Sequence, residues 1–455
     1  MKIDVLVSEI GSTTTVVNAF CDIHTDNPKF IGQGQAPTSV VEGDVRIGLQ
    51  GAIDDLGKRL GEEKVEYNDM LATSSAAGGL KMTVHGLVYD MTARAAKEAA
   101  LGAGAIIHKV TAGKLRRTDL KEIQNIKPNI ILIAGGVDYG ERETSIYNAE
   151  LIANLNLGIP VIYAGNIENQ EEIKLIFEDT NYKLYIVDNV YPKIDLLNVE
   201  PTRFVIQDAF EEHITNAPGM EHVRDIVNGP IIPTPGSVME CTKLLYDQIG
   251  DLIVLDVGGA TTDLHSVTEG SEAINRILIS PEPLAKRTVE GDLGVYVNMK
   301  NVVELIGKEN LEKELNMDID NIMENHVPIP KTHDEIKFVE RLSKEAVIRA
   351  TIRHAGQIRN LYGTGGKTII AEGKDLTEVK YIVGTGGALT RLPNRIKIME
   401  SIAKHNITKT LLFPSEQANI LVDNDYIMAS LGVLSKKYPE AAIKLLFKSL
   451  GIGGN

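Results

Sequence analysis

Three β-branched apolar runs, residues 4–10, 14–21 and 29–36, open the chain and are punctuated by glycine or Asx residues, which predicts three consecutive strands. The apolar spacing then lengthens to the helical 3.6 over residues 45–60 and again over 91–101, where alanine is abundant. From residue 129 a different rhythm sets in. IILIAGGVD, PVIYAGN and LYIVDN are short, almost wholly apolar runs that each end in glycine or an Asx residue, and amphipathic helices over 146–155 and 171–177 separate them. That is the pattern of parallel strands buried on both faces, a βαβαβ module. The proline-bearing NGPIIPTPGS at 228–237 reads as a connection.

The opening pattern then returns. LIVLDVGGATTDLHSV at 252–267 has an apolar strand, a carboxylate at its end, glycines, and a threonine pair entering a second strand. One offset of 247 residues carries Glu9 onto Asp256, Gly11 onto Gly258, Thr14 onto Thr261 and Thr15 onto Thr262. Such self-similarity points to a duplicated lobe. The organisation expected is a first lobe over 1–127, an inserted α/β module and connection over 128–235, and a second lobe over 236–455.

A glycine at a strand-turn-strand tip lets several backbone N–H groups converge, and hydroxyls add donors without charge. Ser12, Thr13 and Thr14 on one loop, and Gly259, Ala260, Thr261 and Thr262 on the other, are such tips; a plain hairpin whose glycines relieve turn strain is the alternative. An acid at the buried end of an apolar strand is costly unless something compensates it, and a hydrated divalent cation would. Glu9 and Asp256 are therefore read as the groups that hold a magnesium shell or orient water, beside phosphates cradled by Gly11, Gly258 and their neighbours. YIVGTGGALTR at 381–391 offers a further apolar strand opening through Gly384, Thr385, Gly386 and Gly387 onto a helix, suited to close approach by a sugar or phosphate. The other GTGG, at 363–366, lies between strand-like runs and reads as a hairpin turn.

Composition narrows the classes. The 455 residues are 43% apolar and carry 47 Lys and Arg against 62 Asp and Glu, a formal charge of -15. That balance repels nucleic acid and anionic lipid, and the basic run at 114–117 reads as a solvated loop before a helix. Cys21 and Cys241 lie in no metal-like spacing, so a reducing, cytoplasmic setting is expected, with neither signal peptide nor membrane span. Two cysteines fall short of the four thiolates usual for an iron-sulfur cluster, which only a pair of chains could supply. His85, His265 and His354 lack companions for a metal and read as hydrogen-bonded structural residues. After Asp423, Asn424 and Asp425 comes a helix with small residues at 429, 430 and 432, where Gly432 reads as a packing residue; 439–450 reads as a surface helix burying Ala441, Ala442, Leu445 and Leu446.

The two acid-glycine-hydroxyl hairpins and the late GTGG resemble the phosphate-one, phosphate-two and adenosine motifs of the actin, Hsp70 and sugar-kinase ATPase superfamily, with Glu9 where the wider group generally has Asp. The resemblance implies two ribonuclease-H-like lobes around a Mg-ATP cleft. The ordered set SAAGGLKM, IAGGVDYG, AGNIEN, DNVYPKI, PTPGSVM, DVGGATTDLHSV and VGTGGALTRL is similar, over nearly the whole chain, to the glutamate mutase (methylaspartate mutase) accessory family labelled MutL or GlmL, distinct from the mismatch-repair protein of that label. It implies a slow ATPase that reactivates or assembles an adenosylcobalamin-dependent mutase by nucleotide-driven lobe closure. ATP, Mg²⁺ and the mutase subunits are the implied cofactors and partners, with a second copy of the chain admitted, and cobalamin is not expected to be bound directly. An ATP-dependent small-molecule enzyme, a kinase or a hydantoinase- or oxoprolinase-like hydrolase, is the alternative, with Asp138, Asp188 and Asp263 as available bases.

Overall fold

The computed structural model describes all residues except 1, 12–13, 77–78, 216, 364–365, 407–409 and 454–455. The chain divides into two compact units, Met1–Cys241 with Ala429–Leu445, and Thr242–Met428 with Leu446–Asn455. The border expected at 235 falls shortly before this division, and the one expected at 127 falls inside the first unit.

In the first unit, β1 (Lys2–Ile10), β2 (Thr14–Cys21) and β3 (Lys29–Pro37) form an antiparallel meander, while β4 (Glu66–Ser74) pairs parallel with β1. The helix Val45–Leu60 starts at Asp44, whose side chain accepts from the Arg46 N–H, and ends at Gly61 with φ 73°. It packs so closely on β3 that a Cβ at Gly34 would lie 2.2 Å from the Ala52 carbonyl. A second sheet in this unit holds β5 (Lys81–Gly86), β6 (Ile106–Ala112), β7 (Ile130–Ile133), β8 (Pro160–Tyr163) and β9 (Lys183–Ile186), all parallel, in the order β6-β5-β7-β8-β9. The three strands expected from residue 129 are β7 to β9; β5 and β6 extend that sheet. The expected helix at 91–101 begins as a π-turn, Tyr89–Ala93, and continues as the α-helix Arg94–Gly102.

The segment 228–237 corrects the expectation of a bare connection. It contains β10 (Ile231–Pro233), paired with β4, and the first turn of the helix Thr234–Ile249. Pro233 and Pro235 are accommodated, because β10 is an edge strand and Pro235 lies in a helical first turn, where the missing N–H has no helical partner to lose.

The second unit repeats the first sheet. An antiparallel meander of β11 (Leu252–Val257), β12 (Thr262–Val267) and β13 (Ala285–Glu290) is followed by a separate ribbon of β14 (Gln357–Gly363) and β15 (Gly366–Glu372), and then by β16 (Tyr381–Thr385) and β17 (Asn419–Val422). Strand β16 pairs parallel with β11, and β17 with β16. The orders β3-β2-β1-β4-β10 and β13-β12-β11-β16-β17 have the same sense of pairing throughout. Two ribonuclease-H-like sheets of the actin type are thus present. The helix His333–His354 covers one face of the second, with Phe338, Leu342 and Val347 fully buried in the core against Ile253 and Leu255.

Candidate functional site

The duplication extends to single hydrogen bonds. Glu9 faces Val16 and Ile10 faces Thr15 across the first hairpin, as Asp256 faces Asp263 and Val257 faces Thr262 across the second. The Gly11 N–H donates to the Thr14 carbonyl at 3.1 Å, and the Gly258 N–H to the Thr261 carbonyl at 2.9 Å. Ser12 and Thr13 lie outside the described residues. Thr14 is exposed at the tip, whereas Thr15 is buried and shares a 2.9 Å hydrogen bond with the Thr38 hydroxyl.

Glu9 is half-buried near the end of β1, after a run from Val5 to Ser8 that is buried throughout. Its Oε1 accepts from the Ser430 hydroxyl at 2.7 Å and from the Asn18 amide at 3.3 Å, and Asn18 also donates to the Ser430 oxygen at 2.8 Å. Both donors are neutral. Asn18 and Ser430 were not among the expected site residues; Ser430 is distant in sequence and has only its small size to mark it.

Asp256 ends β11 half-exposed. The carbonyls of Gly258, Gly259 and Ala260 are all held from one side: Val295 N–H reaches Gly258 (3.2 Å), Tyr296 and Val297 N–H reach Gly259 (2.9 and 2.7 Å), and the Asn298 amide reaches Ala260 (2.7 Å). Gly294 allows this segment its approach, since a Cβ there would lie 2.3 Å from the Ala260 carbonyl carbon. In a planar trans peptide the N–H points opposite to the C=O, so the N–H groups of Gly259, Ala260 and Thr261 face away from the brace. Among the described residues none of the three has a hydrogen-bond partner. Successive unpaired amides form an anion-binding concavity. Thr262, by contrast, is buried and donates to the Leu293 carbonyl at 2.8 Å, so its hydroxyl holds the brace in place.

The glycine-rich turn after β16 meets the same carboxylate. Thr385 is the register partner of Asp256. Gly386 has φ 82°, and a Cβ on it would lie 2.3 Å from Asp256 Oδ1 and 2.7 Å from both N and O of Val257. The other three residues do different work. Gly384 is buried against Met399, Thr385 is buried and donates to Asp423 Oδ2 at 2.9 Å, and Gly387 is exposed with nothing within 4 Å of its missing Cβ. Asp423 also accepts from the Met428 N–H at 3.0 Å, at the start of the helix Met428–Leu434.

Between Gly259 and Gly387 a cavity of about 220 Å³ opens, walled mainly by Val295, Tyr296, Ile329, Ile336 and Ala388, with Arg391 at its edge. Pockets that enclose a whole small-molecule ligand usually span about 300–1,000 Å³, so this one suits part of a ligand. Its wall at 328–336 carries no motif and escaped sequence reading.

Of the bases considered for the alternative activity, Asp263 is buried against the guanidinium of the fully buried Arg287 at 3.2 Å, and burial raises its pKa. Asp138 accepts from the Ile167 N–H and the Asn189 amide. Asp188 is exposed. His85 and His354 are buried and hydrogen-bonded, to Thr83 and Thr111 and to Ser266 and Thr288 respectively. His265 departs from the hydrogen-bonded role expected of it. It is fully buried, neither ring nitrogen has a partner among the described residues, and burial with Arg287 nearby keeps it neutral. Among the described residues no group of three or more His, Cys, Asp or Glu could hold a metal, and no helix is long and apolar enough to cross a membrane.

Comparison with known proteins agrees with the motif order. Several solved structures are similar to the chain at low likeness: a diol dehydratase-reactivating factor in nucleotide-free form (9% identity, TM-score 0.41, covering 96% of this chain and 100% of that one) and a glycerol dehydratase reactivase (12%, 0.32, 95% and 99%). Nucleotide-free acetone carboxylase matches at 11% identity and TM-score 0.37 over 95% of this chain and 70% of that one. The family model described as MutL protein matches residues 5–450, and the Protein MutL of Clostridium tetanomorphum is 36% identical over 460 residues, 98% of each chain. The chain belongs to the MutL protein family, the glutamate mutase accessory family that its motifs resemble.

Proposed function

We propose that this protein binds Mg-ATP and serves as the reactivating or assembling partner of an adenosylcobalamin-dependent mutase of the glutamate mutase type. The observation that carries the nucleotide half is the tip of the second hairpin: three consecutive unpartnered N–H groups beside the Asp256 carboxylate, with Gly386 packed against it. Unpaired donors at a turn next to an acid suit a phosphate accompanied by a cation. Magnesium keeps most of its water, so Asp256 and Glu9 suffice as side-chain contacts without a dense ligand cluster. In this reading Gly11, Ser12, Thr13 and Thr14 take the phosphate from the other hairpin, while Gly387 and the cavity beside Tyr296 take ribose or base. Hydrolysis is slow, and nucleotide-driven closure of the lobes acts on the partner.

The partner half rests on family membership.

The test is a pair of measurements on the full chain. Mg-ATP should raise the melting temperature of the wild type, and Asp256→Ala should remove that rise together with ATP turnover. Addition of the purified mutase should change the turnover. No ATP-dependent stabilisation would end the nucleotide half, and a turnover indifferent to the mutase would end the partner half.

A further inference from the structure

The five parallel strands of the first unit's second sheet run in the spatial order β6-β5-β7-β8-β9. The connection from β5 to β6 and that from β6 back past β5 to β7 run in opposite directions across the sheet, which makes the carboxyl ends of β5 and β7 a topological switch point, where open α/β sheets take their ligands. The turns at this edge are already filled. Asn166, fully buried, accepts from the Tyr139 and Glu168 N–H groups at 3.1 and 3.0 Å, and Asp138 accepts from the Ile167 N–H at 3.0 Å and the Asn189 amide at 2.9 Å. Asn189 also donates to the Gly136 carbonyl, and the Asp138 N–H donates to the Pro192 carbonyl. The loops after β7, β8 and β9 are thereby locked into one piece. Tyr139 is held at φ 61°, a left-handed conformation that a bulky residue seldom adopts.

What this rigid edge turns outward is apolar: Tyr139 is 78% and Ile194 70% exposed, joined by Ile167 and Leu196 and, on the loop after β5, by Val88 and Tyr89. The same edge carries Asp90, Asp138, Glu141, Glu168, Asp188 and Asp195 against Arg142 and Lys193, with Lys114 and Arg116 on the loop after β6. A phosphate-bearing ligand, the usual guest of such a sheet, would meet occupied N–H groups and a surplus of carboxylates. A protein surface would not. Rigid aromatic and aliphatic anchors inside a charged rim are the anatomy of an interface.

We infer that this edge is the docking platform for a protein partner whose contact surface presents apolar side chains flanked by lysine and arginine, and that the partner is a mutase subunit. The second clause rests on the accessory reading above.

Binding of the full-length chain to each purified subunit of the mutase tests it. Tyr139→Ser combined with Ile194→Ser, and separately Glu168→Lys combined with Asp195→Lys, should each weaken binding about tenfold or more. Added salt should weaken the wild type, and Tyr362→Ser on the ribbon of the second unit should change nothing. All substituted side chains are exposed or at the surface, and an unchanged melting curve checks folding. If the wild type binds neither subunit, the accessory reading falls and this inference with it. If the wild type binds and both platform variants bind equally well, this inference alone is overturned. Tight binding of flavin mononucleotide, lost in Tyr139→Ser, would overturn it as well.

Discussion

Replacing Gly386 by alanine puts a methyl group where the structure has a carboxylate oxygen. The new Cβ would lie 2.3 Å from Asp256 Oδ1 and 2.7 Å from two backbone atoms of Val257. Backbone atoms in a central strand cannot swing aside, so either the turn or Asp256 must move. The left-handed φ of 82° adds about 1–2 kcal/mol for any residue with a Cβ, and overpacking adds about 1–3 kcal/mol. The expected local cost is thus about 2–5 kcal/mol, or a fall in equilibrium protection of about 30-fold to a few thousand-fold. A chain of two compact units need not unfold in one step, so the assay is amide hydrogen exchange in β11 and β16, read against β1 and β4 as an internal reference. ATP-dependent stabilisation should vanish in the same variant. Gly387→Ala is the control, for its Cβ meets nothing within 4 Å, and it should stay within about 0.5 kcal/mol of the wild type. A Gly386→Ala protein with wild-type exchange in β11, or a Gly387→Ala protein equally damaged, would refute the assigned contact between the two motifs.

Further outcomes follow from other contacts. Thr262→Val leaves the buried Leu293 carbonyl without its donor and should cost about 1–3 kcal/mol, measured by urea unfolding of the second unit's signal. Gly432→Ala would drive a Cβ to 1.8 Å from the Ser237 carbonyl oxygen, and a loss of about 1–3 kcal/mol or more in thermal melting is expected. Burial pushes His85 down to about 3 from its usual 6.5. The unfolded chain therefore binds the extra proton first, so this group's stabilisation is complete above pH 6.5 and erodes as pH falls toward 3. The slope is about 1.4 kcal/mol per pH unit, and His85→Gln should flatten a stability-versus-pH curve by roughly that amount in this window.

The strand-turn-strand units were legible because their punctuation is local: an apolar run, an acid, a glycine and a pair of threonines occupy one short window, and the repeat at a fixed offset revealed the second copy. The sheet order of the inserted module was less legible, since β6 is an edge strand with a half-exposed pattern that alternates weakly. Prolines misdirected the reading at 231–235, because a residue that breaks a central strand is tolerated at an edge or in a helix's first turn. At the site, the tip residues could be named but not their duties. That Thr262 faces inward, that Gly386 rather than Gly387 touches Asp256, and that Ser430 holds Glu9 are all set by contacts between segments well separated in sequence, which local periodicity does not encode.

The bond from Ser430 to Glu9 spans 421 residues. At ordinary ribosomal speeds of about 5–20 residues per second, the first acid leaves the tunnel roughly 20–80 seconds before its hydroxyl donor exists. The opening hairpin can pair its strands during that wait, yet its carboxylate cannot settle until translation is almost over. Premature termination between Thr15 and Ser430 would release a fragment bearing every residue of the first tip but lacking that anchor.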